Sequence, residues 1–480
     1  RICGSSGWSR ISTAYATPIF EATPGSTHGY DGLNPHRLNP EIGNEEQFRN
    51  LIARIKEGGQ QWLQDIVPNH MAFHCNNPWL MDVLEKGKQS SYASFFDIGW
   101  ESPLYGGRVM VPFLGAVIDE VIEKKELKVD YQSGKLVLSY YDSFYPLNLR
   151  SYERILTSVE EPNQAFEQLL SQLAQIHQIE DAAIYSERWN EFLLQLSSLS
   201  KNEAVNASLR KRLDDVNSEI ETVKEIAAEQ YYQLCHWQET DHQINFRRFF
   251  TVNGLICLNI QDKKVFDVYH QYIHDLIKRE LIDGLRVDHV DGLFDPGQYL
   301  QNLRTLAGED SYIVVEKILE TGEELERSWP IEGNSGYDFL AMVNNLFTDK
   351  EGEEEFSKFY KKLTGDKRPL PEQIHEKKSY ILHQHMGGEL DNLYQMLISS
   401  GLADPSEVEL SGDLKAAIAG FLIHCPVYRY YANSFPLVDS EAQAVQSILN
   451  SVRKSKPALN RAVGLLEQIF LIKPQKEDGE

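Results

Sequence analysis

The stretch Asp283-Gly-Leu-Arg-Val-Asp-His-Val-Asp-Gly-Leu-Phe-Asp-Pro296 decides how this chain folds. Its first half alternates between apolar and charged residues. Leu285 and Val287 are predicted to face one way, and Arg286 and Asp288 the other, which is the periodicity of a β-strand. The stretch therefore predicts a strand that carries its charged residues on one face and ends at Asp288.

A helix-like pattern from Val265 to Leu281 precedes this strand, which indicates an αβ unit and a parallel strand covered on both faces. A charged pair on such a strand is costly unless the two groups meet each other and a further polar partner. Arg286 is expected to keep Asp288 ionised, because an adjacent positive charge lowers the pKa of an acid. An ionised carboxylate at a strand end suits a nucleophile for sugar chemistry. A buried ion pair that braces a loop is the alternative.

Two further stretches have the same form, an apolar strand that ends in polar groups. They are Gln64-Asp-Ile-Val-Pro-Asn-His70 and Tyr312-Ile-Val-Val-Glu-Lys-Ile-Leu319, and Glu316 stands where the second strand should end. Three strands with an acid, an amide or an imidazole at their carboxyl ends are typical of the active-site rim of a (β/α)8 barrel.

Asp288, Glu316 and His70, with these neighbours, resemble the α-amylase clan of retaining α-glucoside enzymes. Longer matches resemble the maltooligosyltrehalose synthase branch of that clan over most of the chain: Ala16-Thr-Pro-Ile-Phe20, Gly25-Ser-Thr-His-Gly-Tyr-Asp31, Trp62-Leu-Gln-Asp-Ile-Val-Pro-Asn-His-Met71, Ile244-Asn-Phe-Arg-Arg-Phe-Phe250 and Gly336-Tyr-Asp-Phe339. The expected fold class is α/β, an incomplete (β/α)8 TIM barrel of the α-amylase type with a large helical insertion and a helical C-terminal part.

The resemblance implies a (1→4)-α-D-glucan 1-α-D-glucosylmutase, an isomerase of trehalose biosynthesis. Such an enzyme converts the reducing-end α-1,4 linkage of a maltooligosaccharide into an α,α-1,1 linkage. Asp288 is the implied nucleophile, and Glu316 is the implied acid and base, with its pKa raised by the neighbouring carboxylate. No metal or organic cofactor is implied. The alternatives are an α-amylase-type hydrolase of α-1,4-glucan and an inactive fragment that still binds glucan.

The resemblance also assigns roles around the catalytic pair. Tyr30 is implied to stack under a glucose and His70 to hydrogen-bond its hydroxyls, while His289 contacts the leaving glucose. The full set of implied sugar-binding residues is Tyr30, Asp31, His70, Arg286 and His289, and the residues implied to brace loops are Asp65, Asn69 and Asp291. The Asn245–Phe250 segment is expected near the reducing end of the substrate or, alternatively, at an ion-paired packing junction.

A metal-dependent hydrolase that uses Asp288, His289 and Asp291 is disfavoured, because Asp288 and His289 should point to opposite sides of a strand. The net charge of −24 disfavours nucleic acid and an anionic membrane surface as partners. The five cysteines lack the spacing of a disulfide framework or a zinc site and favour a reducing compartment, so a cytoplasmic location is expected. No apolar run approaches the length of a membrane span.

Four segments are predicted along the chain. They are 1–120 with barrel strands 2–3 and substrate loops, 121–240 with an inserted hairpin and a helical subdomain, 241–340 with barrel strands 4–5 and the catalytic residues, and 341–480, mainly helical, with a sixth strand at Cys425–Tyr431. Within them, a helix is predicted at Glu45–Glu57, a hairpin at Leu127–Leu138, helices from Ser151 to about Trp237 and a loop at Gly333–Phe339.

The two ends of the sequence carry expectations of their own. Ile11–Ile19 reads as the second strand of the implied barrel, and no first strand precedes it. No His-Asp pair follows Leu340, although the clan carries its third carboxylate after a histidine on the seventh strand. The chain is therefore expected to lack the first, seventh and eighth strands and the third acid. The charged tail at Lys473–Glu480 is predicted to be disordered.

Overall fold

The computed structural model describes residues 11–159, 164–403, 411–433 and 435–471. The tail predicted at Lys473–Glu480 lies outside the described residues. Within these ranges the strands are β1 (Thr13–Ala16), β2 (Phe20–Ala22), β3 (Gly32–Leu38), β4 (Gln61–Ile66), β5 (His70–Ala72), β6 (Val109–Leu114), β7 (Leu127–Gln132), β8 (Lys135–Tyr140), β9 (Ser143–Pro146), β10 (Tyr232–His236), β11 (Arg248–Phe249), β12 (Val252–Cys257), β13 (Gly284–Val287), β14 (Tyr312–Val315) and β15 (Gly333–Asn334).

The α-helices in the same ranges are α1 (Glu45–Glu57), α2 (Pro78–Lys86), α3 (Ile118–Glu123), α4 (Leu149–Leu156), α5 (Gln164–Ile176), α6 (Ala182–Leu199), α7 (Glu203–Ser218), α8 (Ile220–Ala228), α9 (Lys263–Lys278), α10 (Pro296–Ala307), α11 (Tyr337–Leu346), α12 (Glu353–Thr364), α13 (Leu370–His385), α14 (Gly387–Ser399), α15 (Ser411–His424), α16 (Asp439–Ser455) and α17 (Asn460–Leu471).

A five-stranded sheet with the order β1-β4-β13-β14-β15 organises the molecule. Every pair in it is parallel, so all five carboxyl ends lie at one edge. The register places Arg286 opposite Asp65 on one side and opposite Val314 on the other. Helix α9 leads into β13, and α10 connects β13 to β14. The αβ unit predicted from the central stretch is therefore confirmed.

The central strand β13 is tightly enclosed. Leu285 and Val287 are fully buried. A Cβ atom added at Gly284 would lie 2.6 Å from the carbonyl oxygen of Tyr312 and 3.2 Å from Cδ1 of Leu63. Only a glycine lets the first residue of the strand fit between its two neighbours, so the close packing begins before the charged residues are reached.

Two hydrophobic cores lie in the described part of the chain. The larger core joins the parallel sheet to the inserted elements and includes Phe48, Ile66, Trp189 and Leu285. The smaller core is formed by helices from the region of α13 to α17, with Leu449 and Val463 among its buried residues. Arg248 connects the two regions, because its guanidinium bonds to Glu389 at 2.8 Å and to the carbonyl oxygen of His385 at 2.9 Å.

Several local predictions are confirmed. Helix α1 has the predicted bounds, and β7 and β8 form the predicted hairpin, with positive φ at Ser133 and Gly134 in the turn. The helical region predicted from Ser151 contains α4 to α8, but its last part is the strand β10. Tyr232 and Leu234 of β10 are buried against the parallel strand β6, so pairing with β6 determines the structure there.

Two other predictions need correction. The sixth strand predicted at Cys425–Tyr431 is wrong, because this segment has no strand structure and binds the loop after β13 through side chains. The loop predicted at Gly333–Phe339 begins with the short strand β15, which pairs in parallel with β14, and Tyr337 already belongs to α11. In the described residues, no helix combines the length and apolar character that a membrane span requires.

Candidate active site

Arg286 is the centre of a cluster at the carboxyl edge of the parallel sheet. Its Nη1 donates to both carboxylate oxygens of Asp65, at 3.0 and 2.8 Å, and to Oδ1 of Asp288 at 2.8 Å. Its Nη2 lies 3.2 Å from Oε1 of Glu316. Asp65 belongs to β4, Asp288 follows β13 and Glu316 follows β14, so three neighbouring strands each supply one carboxylate to a single guanidinium.

Burial is the main cause of the raised pKa of Asp288. It raises the pKa to about 7, and the charge of Glu316 adds to this effect more than the charge of Arg286 opposes it. The expectation that Arg286 lowers the pKa of Asp288 and keeps it ionised is therefore wrong. Burial and the convergence of three carboxylates on one cation outweigh Arg286, and neighbouring residues in the sequence reveal neither.

Glu316 shows the opposite shift. Burial acts to raise its pKa, but the backbone N–H of His289, the charge of Arg286 and the hydroxyl of Tyr337 together lower it. The N–H of His289 donates to Oε2 at 2.9 Å, and the hydroxyl of Tyr337 donates to Oε1 at 3.0 Å. A hydrogen bond from Asp288 also lowers the pKa of Glu316. The expectation of a raised Glu316 pKa is wrong, and Asp288 is the member of the pair whose pKa is raised.

His289 has a left-handed backbone conformation, with φ at 45°. This conformation is uncommon for a residue with a side chain, and it turns the N–H of His289 toward Glu316. The imidazole packs against the rings of Phe249 and Phe250, with centroid distances of 4.9 and 5.2 Å. A Cβ atom added at Gly292 would lie 2.3 Å from Cδ2 of His289, so the turn after Asp288 fits closely around this ring.

Tyr30 and His70 lie beside the cluster, while Asp31 is held in its own loop. The hydroxyl of Tyr30 donates to Asp65 at 2.6 Å, and Nε2 of His70 lies 3.1 Å from the carbonyl oxygen of Tyr30. Burial lowers the pKa of His70 to about 4, which leaves its ring neutral at pH 7. The carboxylate of Asp31 accepts hydrogen bonds from the hydroxyls of Thr23 and Ser26.

Asn69 and Asp291, which the resemblance assigned to bracing, both make structural contacts. The amide nitrogen of Asn69 lies 3.2 Å from Nδ1 of His70. The carboxylate of Asp291 lies 3.3 Å from Nζ of Lys317 and accepts a hydrogen bond from the hydroxyl of Tyr431 at 2.5 Å. Asp291 therefore contacts Lys317 and Tyr431. Among the described residues, no group of three His, Cys, Asp or Glu side chains is arranged to hold a metal.

Known proteins match this chain at two scales. The sequence profile of the alpha-amylase catalytic domain matches residues 10–122. A putative maltooligosyl trehalose synthase of Mycobacterium tuberculosis is 29% identical over 422 residues, which is 87% of this chain and 44% of that protein. The solved maltooligosyltrehalose synthase of Arthrobacter ramosus superposes with a TM-score of 0.71 at 28% identity, covering 95% of this chain and 48% of that one. A hypothetical maltooligosyl trehalose synthase of Sulfolobus tokodaii superposes with a TM-score of 0.66 at 28% identity, covering 96% and 51%.

The chain is similar to maltooligosyltrehalose synthases over most of its length. It has an α-amylase-type fold with substantial helical content. The chain spans less than half the length of the curated maltooligosyl trehalose synthases that it matches, since the alignment covers 44% of them.

Sequence reasoning missed several residues that build the site. The hydroxyl of Tyr15, on β1, donates to Asp65 at 2.6 Å, and Tyr337 holds Glu316. Tyr337 stands in the motif Gly336-Tyr-Asp-Phe339, so the resemblance could have identified it. Tyr15 carries no such signal, because its contact depends on the pairing of β1 with β4.

The segment predicted as the sixth strand instead braces the turn after Asp288. The guanidinium of Arg429 donates to the carbonyl oxygens of Asp291 and Phe294, at 2.9 and 2.7 Å. From the other side, Arg247 donates to the carbonyl oxygen of Gly292 at 2.8 Å and pairs with Asp97 at 2.7 Å. The Asn245–Phe250 segment thus combines an ion-paired junction with the aromatic contacts to His289.

Proposed function

We propose that this chain carries the catalytic pair of a retaining glucan enzyme that forms a trehalose-type terminus. One observation carries the proposal. The guanidinium of Arg286 contacts both Asp288, at 2.8 Å, and Glu316, at 3.2 Å, and the strands that precede these two residues are parallel neighbours. Retaining glycosidases use two carboxyl groups about 5–5.5 Å apart, one as nucleophile and the other as acid and base. The substrate is a maltooligosaccharide or another α-1,4-glucan.

In the proposed reaction, Asp288 attacks the anomeric carbon of the penultimate glucose. The bond from that carbon to the glycosidic oxygen breaks, and Glu316 protonates the departing reducing-end glucose. The released glucose turns within the site. Its anomeric hydroxyl then attacks the covalent intermediate and gives its proton to Glu316, while Asp288 leaves. The product has an α,α-1,1 link and the same number of glucose units as the substrate.

The raised pKa of Asp288 adds a step to this scheme. A nucleophile must be ionised and a general acid protonated, whereas burial favours the proton on Asp288. The proposal therefore includes the transfer of a proton from Asp288 to Glu316 when the substrate binds.

The remaining site residues are proposed to bind or orient the sugar. Arg286 orients Asp288, the neutral imidazole of His70 hydrogen-bonds sugar hydroxyls, and Tyr30 stacks under a glucose ring. His289, between Phe249 and Phe250, contacts the leaving glucose. Asp31 is a further proposed sugar contact.

The proposal extends to the architecture. The spatial order of the five parallel strands follows their chain order, as in a (β/α)8 barrel, which supports an incomplete barrel of that type. The segments 1–120, 121–240, 241–340 and 341–480 are proposed as its parts. The cytoplasm is the proposed location, and the described cysteines, Cys75, Cys235, Cys257 and Cys425, have free thiols.

Product analysis after incubation with maltopentaose tests the reaction. We expect reducing ends to disappear while the mass of the sugar stays constant. Rising reducing equivalents with shorter products would indicate an α-amylase-type hydrolase instead. Asp288→Asn should abolish turnover. Glu316→Gln should lower the activity on natural substrates more than the activity on an activated aryl glycoside. Asp267→Asn, which changes an exposed acid on α9, is the matched control.

Calorimetric binding measurements distinguish an inactive glucan-binding fragment from both the synthase and the hydrolase. If maltopentaose binds without turnover, and Asp288→Asn leaves binding intact, the chain is a glucan-binding module. If maltopentaose neither reacts nor binds, the proposed substrate class is wrong.

A further inference from the structure

A cavity of about 420 Å³ lies apart from the Arg286 cluster. It is formed between the first helices of the inserted region and the 86–108 segment. Its volume is within the range of small-molecule sites. The lining residues are Lys86, Lys88, Gln89, Trp100, Gly106, Gly107, Arg108, Leu149, Arg150, His177, Tyr185 and Tyr231.

The lining is basic in a chain whose net charge is −24. It contains four cations and a histidine, and no aspartate or glutamate is among the described residues that line it. Carboxylates outside the lining compensate only some of these groups. Lys86 pairs with Asp82, and Lys88 pairs with Glu101 at 2.6 Å. His177 lies 3.5 Å from Glu153.

Arg108 has no such compensation within the described part of the chain. Its Nε donates to the carbonyl oxygen of Tyr105 at 2.8 Å, and its Nη1 to that of Ala228 at 2.7 Å. These bonds fix the guanidinium and leave its Nη2 protons available. Burial lowers the pKa of Arg108, which is the response of a cation that loses water without gaining a counter-ion.

Arg150 supplies a second uncompensated guanidinium. It is exposed and lies in the first turn of α4, and no carboxylate of the described residues is within ion-pair distance of it. The rings of Trp100 and Tyr231 also line the cavity. Two guanidinium groups match the geometry of a phosphate, and aromatic rings suit the C–H faces of a sugar.

We propose that this cavity binds a small sugar phosphate, with Arg108 and Arg150 holding the phosphate and the aromatic walls contacting the sugar. A phosphate dianion complements the two guanidinium groups, and the sugar fills the space that a phosphate alone would leave to water. The site is independent of the glucan reaction proposed above, because none of its lining residues belongs to the Arg286 cluster.

Calorimetric titration of the whole chain with glucose 6-phosphate, inorganic phosphate and glucose tests the site without any need for turnover. Glucose 6-phosphate is expected to bind most tightly, inorganic phosphate more weakly, and glucose not at this cavity. Equal affinities for the two phosphates would overturn the sugar part of the proposal. No binding of either phosphate would overturn all of it.

Variants locate the binding. Arg150→Ala, at an exposed position, should weaken the binding of glucose 6-phosphate by about tenfold, which is the usual contribution of one charge-assisted phosphate contact. Arg108→Gln should weaken it at least as much. Lys201→Ala is the matched control, because it removes an exposed positive charge at the end of α6 without touching the cavity. An equal loss of affinity in Lys201→Ala would mean that glucose 6-phosphate binds through the overall charge of the protein and not at this cavity, which would overturn the proposal.

Discussion

Two buried ionic clusters lie next to each other at the ends of β13 and β14, and they differ in the ratio of carboxylates to cations. The Arg286 cluster sets one cation against Asp65, Asp288 and Glu316. In the Lys317 cluster, Lys317 pairs with Asp291 at 3.3 Å and with Glu323 at 2.7 Å. The hydroxyl of Tyr431 donates a hydrogen bond to Asp291 in the same cluster.

Glu316 and Lys317 are consecutive, yet Glu316 contacts Arg286 whereas Lys317 contacts Asp291 and Glu323. Both clusters combine one cation with carboxylates and tyrosine hydroxyls, so composition alone does not separate them. The size of the carboxylate excess does, because three carboxylates share Arg286 whereas two share Lys317. Four substitutions test this difference.

Lys317→Met should have the largest effect on stability. The side chain of Lys317 is 1% exposed, and its loss leaves the carboxylates of Asp291 and Glu323 buried without their cation. Breaking a buried ion pair in this way costs about 3–5 kcal/mol. Urea unfolding at neutral pH measures the loss. Lys263→Met, which removes an exposed ion pair with Asp267, is the control and should cost less than about 1 kcal/mol. Equal losses in the two variants would show that the Lys317 cluster does not brace the fold.

Asp288→Asn should change stability in a pH-dependent manner. The pKa of Asp288 is about 7 in the folded chain and lies near 3.8 when the residue is unperturbed. The stability that this raised pKa contributes is therefore complete below about pH 4 and is lost as the pH rises through about 7. Asparagine does not ionise, so the variant should gain on the wild type across this window, by at most about 4 kcal/mol. Urea unfolding at about pH 4.5 and about pH 8 gives the difference. A difference that does not change with pH would mean that Asp288 is ionised throughout.

Tyr431→Phe should have a smaller effect on the Lys317 cluster. It removes the hydroxyl that donates to Asp291 but leaves the aromatic ring and Lys317 in place. A hydrogen bond to a charged group contributes about 1.5–3 kcal/mol. The loss should disappear when Asp291→Asn is already present, and a double-mutant cycle measures this coupling. Additive losses would place the effect of Tyr431 elsewhere.

Tyr337→Phe should have the smallest effect, and it sharpens the comparison at Glu316. The hydroxyl of Tyr337 helps to lower the pKa of Glu316, so the variant raises that pKa. A lowered pKa contributes stability above the unfolded value, near 4.5, and loses it as the pH falls further. The variant should therefore be less stable by about 0.5–1.5 kcal/mol at neutral pH. Unfolding curves at neutral and acidic pH test this, and the deficit should shrink in acid.

Sequence periodicity predicted the elements that carry the Arg286 cluster. The alternation of Leu285 and Val287 with Arg286 and Asp288 predicted both the strand and the side on which its charges lie. The apolar runs before Glu316 and His70 predicted the strands β14 and β4, but β4 ends at Ile66 and His70 begins β5, in another sheet. These predictions succeeded because parallel strands bring their carboxyl ends to one edge, so a local pattern has a spatial meaning.

The remaining features depend on distant residues. The raised pKa of Asp288 follows mainly from burial and the charge of Glu316, and the lowered pKa of Glu316 follows from the N–H of His289 and the charge of Arg286. The left-handed backbone of His289 has no signal in its residue type. The Cys425–Tyr431 segment contains aromatic residues typical of a strand, but Arg429 and Tyr431 use their side chains on the turn after Asp288. Tertiary contacts override local preference at each of these places.

Gly292 limits how the turn after Asp288 can vary. The space beside its Cα is filled by the imidazole of His289 and by the amide oxygen of Asn69, at 2.3 and 2.6 Å from an added Cβ. Alanine at this position would force these side chains to shift, and the imidazole is already packed against Phe249 and Phe250. The turn can therefore accept substitutions at its exposed positions, such as Phe294, more readily than the addition of one methyl group at Gly292.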